Sequence, residues 1–368
     1  MSFAINAYGK VDDASDYLPT LTVRAKALTS KADKLMDLLG EIMNHTLFTD
    51  TKRLKELVLQ EKSEWDMSAF SRGHTLMMTR LSSYFSLGGE FAEQSGMSYY
   101  YFLSDLAKNF DKNAEALEEK LADLSRRIFT RANLFYETVG EKEEKEEINR
   151  NLSLVIDDMA KGEKKETHVF HFPPKYKNEA FLTSGKVQYV AKGGNFKDHG
   201  FTYTGALRVM ETILRYEYLW KKVRVLGGAY GAFTQFLRDG TSILCSYRDP
   251  NLGKTVEAYE ELPDYLEHLE LSDREMTKYV IGTLSRIDVP LTPSLRGEKA
   301  MTRYFTGTTD EVAQARRDQL LATTAADIKA LSPLIEAVMK DDNLCVMGSE
   351  ATIRQEKDLF TNLVSLPD

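Results

Sequence analysis

The sequence predicts an α+β protein of two homologous domains, each a largely antiparallel sheet packed by helices. Three observations carry that prediction. Short segments alternate apolar and polar residues with period two, as a half-buried strand must. Longer segments repeat apolar residues every three or four positions, as a helix with one buried face must. The order of elements then recurs in the second half, and 368 residues leave room for two domains of roughly 150 each.

At the start, "SFAINAYGKVDD" places Phe3, Ile5, Ala7 and Gly9 at alternate positions, a strand ending in a turn. "LPTLTVRAKAL" follows as a second strand. From Lys31 the period changes, and Ala32, Leu35, Leu38, Leu39 and Ile42 share one helical face. "TDTKRLKELVLQEKSEWDM" is a helix capped by Thr49 or Asp50, whose side-chain oxygens can accept from a free backbone N–H. "MSYYYFLSDLAKNF" and "NAEALEEKLADLSRRIF" continue the helical pattern. Tyr99, Phe102 and Leu106 fall on one face of the former and are expected in the core. "ANLFYETVG" is expected as a short strand closed by glycine, and "EKEEKEEINRNLSLVIDDM" as a helix with an acidic, solvated first turn.

Residues 1–160 make the first expected domain, and 161–177, charged and carrying Pro173–Pro174, the linker. The second domain, 178–368, opens with two strands in "EAFLTSGKVQYVAKGG" and a helix in "TGALRVMETILRYEYLWKK". "FTQFLRDGTSILCSYRDP" is a β-hairpin turning at Asp239–Gly240. A helical series from Thr255 to Met339 breaks near Pro290 and Pro293, and "DDNLCVMGSEATIRQEKDLFTNLVSL" closes as strand, turn and helix.

"ANLFYETVGEKEEKEEINRNLSLVI" parallels "DNLCVMGSEATIRQEKDLFTNLVSL", and the first hairpin parallels the later one. The first copy begins at its hairpin, without the two strands and helix that open the second. The first domain is therefore expected to be truncated at its N-terminus, the chain being the C-terminal part of a longer polypeptide.

Composition excludes several classes. A formal charge of −8 argues against nucleic acid as a partner, since phosphate binding wants a basic face. No apolar run approaches the roughly 18–20 residues of a membrane helix. "MSFAINAYGK" lacks the basic-then-apolar pattern of a signal peptide, and Cys245 and Cys345 suggest reduced structural thiols. The expected setting is a bacterial-type cytoplasm or another soluble, reducing compartment, with no membrane partner.

The histidines are His45, His74, His168, His171, His199 and His268, and none forms a two-histidine, one-carboxylate zinc motif on a helix. The pair His168 and His171 has no acidic third ligand close by, so a surface or interdomain pair is expected rather than a metal site. No metal site and no catalytic residue is expected in this chain. "KKVRVLGGAYGAF" sets Gly227, Gly228 and Gly231 beside Arg224 and Tyr230. The glycines follow a helix and precede a strand, so the helix dipole points the wrong way for a phosphate. Two readings stay open: a glycine turn with Arg224 and Tyr230 merely exposed, or a clamp in which both hold a peptide carbonyl.

"NEAFLTSGKVQYVAKGGNF", "LRVMETILRYEYLWKKVRVLGGAYGAF" and "DGTSILCSYRDPNLGKTVEAY" resemble the C-terminal domain of the pitrilysin/insulysin-type zinc metallopeptidases, in the branch of presequence protease and falcilysin. "IGTLSRIDVPLTPSLRGEKAMTRYFTG" also fits that branch, and the first half, with a long helical pair around Leu54 to Phe85, resembles the family's third domain. The resemblance implies the substrate-binding, chamber-closing half of a peptidase that degrades short unfolded peptides. Zinc would sit on an N-terminal half of the same polypeptide, and this chain alone would be inactive and bind none. Arg224 and Tyr230 match the family's substrate-holding arginine and tyrosine, with Gly227 and Gly228 as the supporting turn. The alternative implied is a non-catalytic scaffold subunit of the same family.

Overall fold

A computed structural model describes residues 1–11, 13, 16–163 and 169–367. Strands β1 (Ser2–Gly9) and β2 (Tyr17–Arg24) form an antiparallel hairpin, in register from Ser2 opposite Arg24 to Gly9 opposite Tyr17. Two strands alone are marginal in water, so the hairpin needs support. Helix α1 (Ala32–Asn44) follows it, then α2 (Thr51–Ser68), α3 (Gly73–Ser82), α4 (Leu87–Glu93), α5 (Met97–Lys108), α6 (Phe110–Ile128) and α7 (Lys142–Asp158). Asp50 caps α2 by accepting from the Arg53 N–H at 2.9 Å.

The second half builds a six-stranded sheet from β3 (Glu179–Thr183), β4 (Tyr189–Asn195), β5 (Gly231–Phe236), β6 (Thr241–Tyr247), β7 (Asn343–Ser349) and β8 (Asn362–Ser365), in the order β5-β6-β4-β7-β3-β8. The pairs β5–β6, β6–β4 and β4–β7 are antiparallel, and β3 lies parallel to both β7 and β8. Between β4 and β5 runs α8 (Gly205–Ile213), which continues as π-helix through Leu214–Tyr218 and Trp220–Leu226. Between β6 and β7 come α9 (Gly253–Glu260), α10 (Leu262–Glu267), α11 (Asp273–Ile287), α12 (Pro293–Thr306), α13 (Asp310–Leu321), α14 (Ala325–Lys329) and α15 (Ser332–Lys340), while α16 (Glu350–Gln355) joins β7 to β8. The protein is α+β, and among the described residues no helix is long and apolar enough to cross a membrane.

Period-two alternation divides the sheet between two cores. Ala180, Leu182, Val190, Leu244, Leu344 and Val346 face α8, α9 and α15. Their neighbours Phe181, Tyr189, Ala191, Ile243, Cys245, Cys345 and Met347 face the other way, onto Trp65, Leu76, Met77, Leu81, Tyr100 and Leu103 of α2, α3 and α5. Helices that precede residues 161–177 thus cover one face of the sheet that follows them. Gly73 permits the close approach: a Cβ there would lie 2.4 Å from the Tyr189 ring. Cys245 and Cys345 each pair with Ala191 from opposite sides, so a strand separates them, and both are free and fully buried.

Three expectations change, and three elements are new. The segment "ANLFYETVG" is no strand: Arg131–Asn133 is a single 3-10 turn, and 134–140 pair with nothing as β. Its aromatic residue is used elsewhere, since the Phe135 ring meets Tyr304 at 5.3 Å and Phe305 at 4.8 Å on α12. The repeat between the two halves therefore fails at that element. The buried face of α5 is Tyr100, Leu103 and Leu106, whereas Phe102 is 58% exposed, a one-residue error in helical phase. The helices α3 and α4, lying in "AFSRGHTLMMTRLSSYFSLGGEFAE", and the edge strand β8 were not legible from periodicity. His168 lies outside the described residues, and His171 sits 3.9 Å from Glu90.

A buried ionic group joins the helices to the sheet. Arg80 of α3 reaches Glu179 of β3 at 2.6 Å and Glu93 of α4 at 3.3 Å. Glu93 also accepts from the backbone N–H and hydroxyl of Ser98, and Glu179 from Tyr84 and Asn362. Burial pushes the Glu93 carboxyl up to about 7, with the Arg80 charge working against that rise.

Candidate functional site

The glycine-rich stretch follows the long helix that begins as α8. Val223 is buried against the core while Arg224 projects outward, its guanidinium 4.0 Å from the Trp220 ring centroid. Stacking on a flat indole holds a long side chain in one orientation and strengthens the contact through the ring's negative face. Lys221 pairs with Glu217 and Lys222 with Glu261, so these cations have partners. Arg224 pairs with no carboxylate among the described residues.

The helix stops at Gly228, whose φ is +82°. The Gly228 N–H donates to the Arg224 carbonyl at 2.9 Å and the Ala229 N–H to the Val223 carbonyl at 3.1 Å, a left-handed glycine cap. Gly227 directs its carbonyl to the Asn251 side-chain amide. Asn251 is held in turn by Asp249, which accepts from the Asn251 backbone N–H at 2.9 Å and the Thr255 hydroxyl at 2.7 Å. Burial raises the Asp249 pKa, and these hydrogen bonds act against it. The glycine turn is therefore braced by a buried polar cluster. Gly228→Ala is expected to lower unfolding stability by about 1–2 kcal/mol, because an L-residue resists that φ. A Cβ there would meet only Pro250, at an ordinary 3.4 Å, so crowding contributes little. Denaturant midpoints check this, with Gly228→Asn losing less than Gly228→Ala.

Tyr230 sits just before β5 and its N–H donates to the Arg248 carbonyl at 3.4 Å. Tyr230 is 67% exposed, and its ring meets Tyr247 in an edge-to-face contact at 5.7 Å between centroids. Tyr247 is itself packed by His74 at 4.7 Å, a ring from the start of α3. Burial lowers the His74 pKa, which favours the neutral ring that stacks there. Arg248 follows β6 with φ +49°, its guanidinium 5.4 Å from the Tyr247 ring centroid.

Arg224, Tyr230 and Arg248 line one open depression of about 460 Å³, together with Val225, Gly228 and Ala229. Two guanidiniums and a phenol converge there, and among the described residues no carboxylate lines the space. Such a set can donate hydrogen bonds to a carbonyl, an oxyanion or a carboxylate. Among the described residues no three His, Cys, Asp or Glu side chains lie together as a metal site would need, so the residues present do not fit a zinc ion.

The structure brings Arg224 and Tyr230 to the same depression and places Gly227 and Gly228 in the turn between them. Sequence reasoning missed Arg248 and the Asp249–Asn251 brace. The only signal was "SYRDPN", an arginine at a strand end before Asp-Pro, where chain reversal is common.

Comparison with known proteins gives two family models. "PreP C-terminal domain" matches residues 178–350, and the model of the segment associated with M16 peptidases of subfamily C matches 1–106. "Protein HypA" of Clostridium perfringens is 37% identical over 367 residues, covering 100% of this chain and 37% of that protein. "Presequence protease 1, chloroplastic/mitochondrial" of Arabidopsis thaliana is 28% identical over 333 residues, covering 90% of this chain and 31% of that protein. The chain thus spans about a third of the length of these relatives. The crystal structure of the peptidase M16 inactive domain from Pseudomonas fluorescens superposes with a TM-score of 0.56 at 13% identity, covering 94% of this chain and 79% of that one. At that identity the likeness concerns the fold.

Proposed function

This chain belongs to the M16 peptidase family, in its presequence-protease branch, and from that premise we propose that it is the substrate-holding, chamber-closing part of a zinc-dependent endopeptidase acting on short unfolded peptides. One observation carries the reading: Arg224 and Tyr230, six residues apart across a braced glycine turn, line a single exposed depression. The metal would polarise the scissile carbonyl from an N-terminal half, since the residues here do not fit it. This chain's own part is positional. Arg224, stacked on Trp220, holds a peptide carbonyl, and the Tyr230 hydroxyl donates to the oxygen that gains charge as the peptide bond breaks. We place the boundary between two family units at 161–177, and the start of one family match at residue 178 supports it.

The test is reconstitution. The chain alone is expected to cleave no unfolded peptide, and mixing it with the zinc-bearing half of the same enzyme is expected to restore zinc-dependent cleavage. A stable complex of the two halves without any cleavage would point instead to the scaffold role.

A further inference from the structure

We propose that Arg248 is a second substrate-holding cation, and that with Arg224 it makes the depression selective for peptides bearing a carboxylate near the bond to be cut. The inference rests on the reading of Arg224 and Tyr230 as substrate-holding groups, and it adds a residue and a ligand chemistry to that reading.

Register places Arg248 where it can act. Gly231 pairs with Tyr247 at the end of β5 and β6, and just beyond that pair the Tyr230 N–H donates to the Arg248 carbonyl at 3.4 Å, so the two residues are neighbours. Both side chains line one space, with Arg224 entering it from the helix end.

The backbone argues the same way. Arg248 occupies the left-handed region at φ +49°, which glycine or asparagine adopts with less strain. A turn serving the backbone alone gains nothing from a long cation there. The guanidinium instead rests on Tyr247, whose ring also touches Tyr230, so the two groups share one support. The guanidinium also lies beside the Tyr189 phenol, where its hydrogen bonding and its charge oppose the burial that raises the Tyr189 pKa, and it has no carboxylate partner among the described residues.

Electrostatics then selects the ligand. Two guanidiniums in a concavity without carboxylates raise the local potential, although the chain as a whole carries −8. An uncharged peptide gives neither guanidinium a counter-charge and leaves that demand unmet. A carboxylate, presented by an acidic side chain or by a free C-terminus, satisfies it through short, charge-assisted hydrogen bonds. Because the depression is open, the gain falls at the lower end of such contacts, about tenfold in kcat/KM, and weakens with salt.

The experiment compares matched peptides cleaved by the full-length enzyme that contains this chain. One arm sets Glu against Gln at positions flanking the cleaved bond, and the other a free C-terminal carboxylate against its amide. Wild type is expected to prefer the carboxylate about tenfold in one arm, which identifies its source. Arg248→Asn, which tolerates the left-handed backbone, is expected to bring that preference to about one, and Arg248→Glu to reverse it. Unfolding midpoints verify that both variants fold. Wild-type preference retained by Arg248→Asn and Arg248→Glu, while Arg224→Ala still depresses turnover, overturns this inference alone. Unchanged turnover in both Arg224→Ala and Tyr230→Phe removes the underlying site and this inference with it.

Discussion

Arg224→Ala or Tyr230→Phe, each made in the full-length enzyme, is expected to lower kcat/KM for an unfolded peptide by more than roughly tenfold, and toward 10²–10³ if the lost group bonds the oxyanion. Tyr230→Phe is the sharper of the two, because it deletes one hydroxyl and keeps the ring in its edge-to-face contact with Tyr247. Stability should therefore hardly change, and a loss of turnover cannot be assigned to unfolding. If the hydroxyl bonds only in the transition state, kcat and kcat/KM fall together. Arg224→Lys should recover little of the Arg224→Ala loss, since an ammonium lacks the planar fork that lies on Trp220. Near-normal turnover in both Arg224→Ala and Tyr230→Phe would end the assignment.

The second large effect concerns stability. Arg80→Met is expected to destabilise the fold by about 3–5 kcal/mol at neutral pH, the usual consequence of stripping one partner from a buried ionic group. Burial works against the Arg80 charge, yet the Glu179 and Glu93 carboxylates outweigh it, and its pKa is raised. Without that charge, two carboxylates face each other where helix meets sheet. The Glu93 carboxyl adds a pH dependence whose sign is opposite to that of an ordinary surface acid. Its folded value of about 7 lies above the ordinary 4.5, so between those values the folded state keeps a proton that the unfolded chain releases. In respect of this group stability should thus be greatest at and below about pH 4.5, fall as pH rises to about 7, and level off above. Glu93→Gln should flatten that slope. Denaturant midpoints of wild type, Glu93→Gln and Arg80→Met across this range test the point. A wild-type slope that survives Glu93→Gln would show that another group titrates.

Sequence alone determined most of the elements, because each depends on neighbours a few residues away. The hairpin from Ser2 to Arg24, the Asp50 cap, the hairpin turning at Asp239–Gly240 and the helices broken near Pro290 all obey local periodicity, capping or turn chemistry. Arg224 and Tyr230 were legible because six residues and a glycine turn already keep them near each other.

Tertiary structure decided what depends on distant partners. "ANLFYETVG" has strand-forming residues, yet a strand needs a ladder, and Phe135 found α12 instead. Period two marks which residues within each of β3, β4, β6 and β7 share a face, but not that α2, α3 and α5 would cover one side. Arg248 joined the site only because β6 returns beside β5. Local free energies are written in adjacent residues, whereas the pairing of a strand edge or a sheet face is settled by whichever distant segment can bury it.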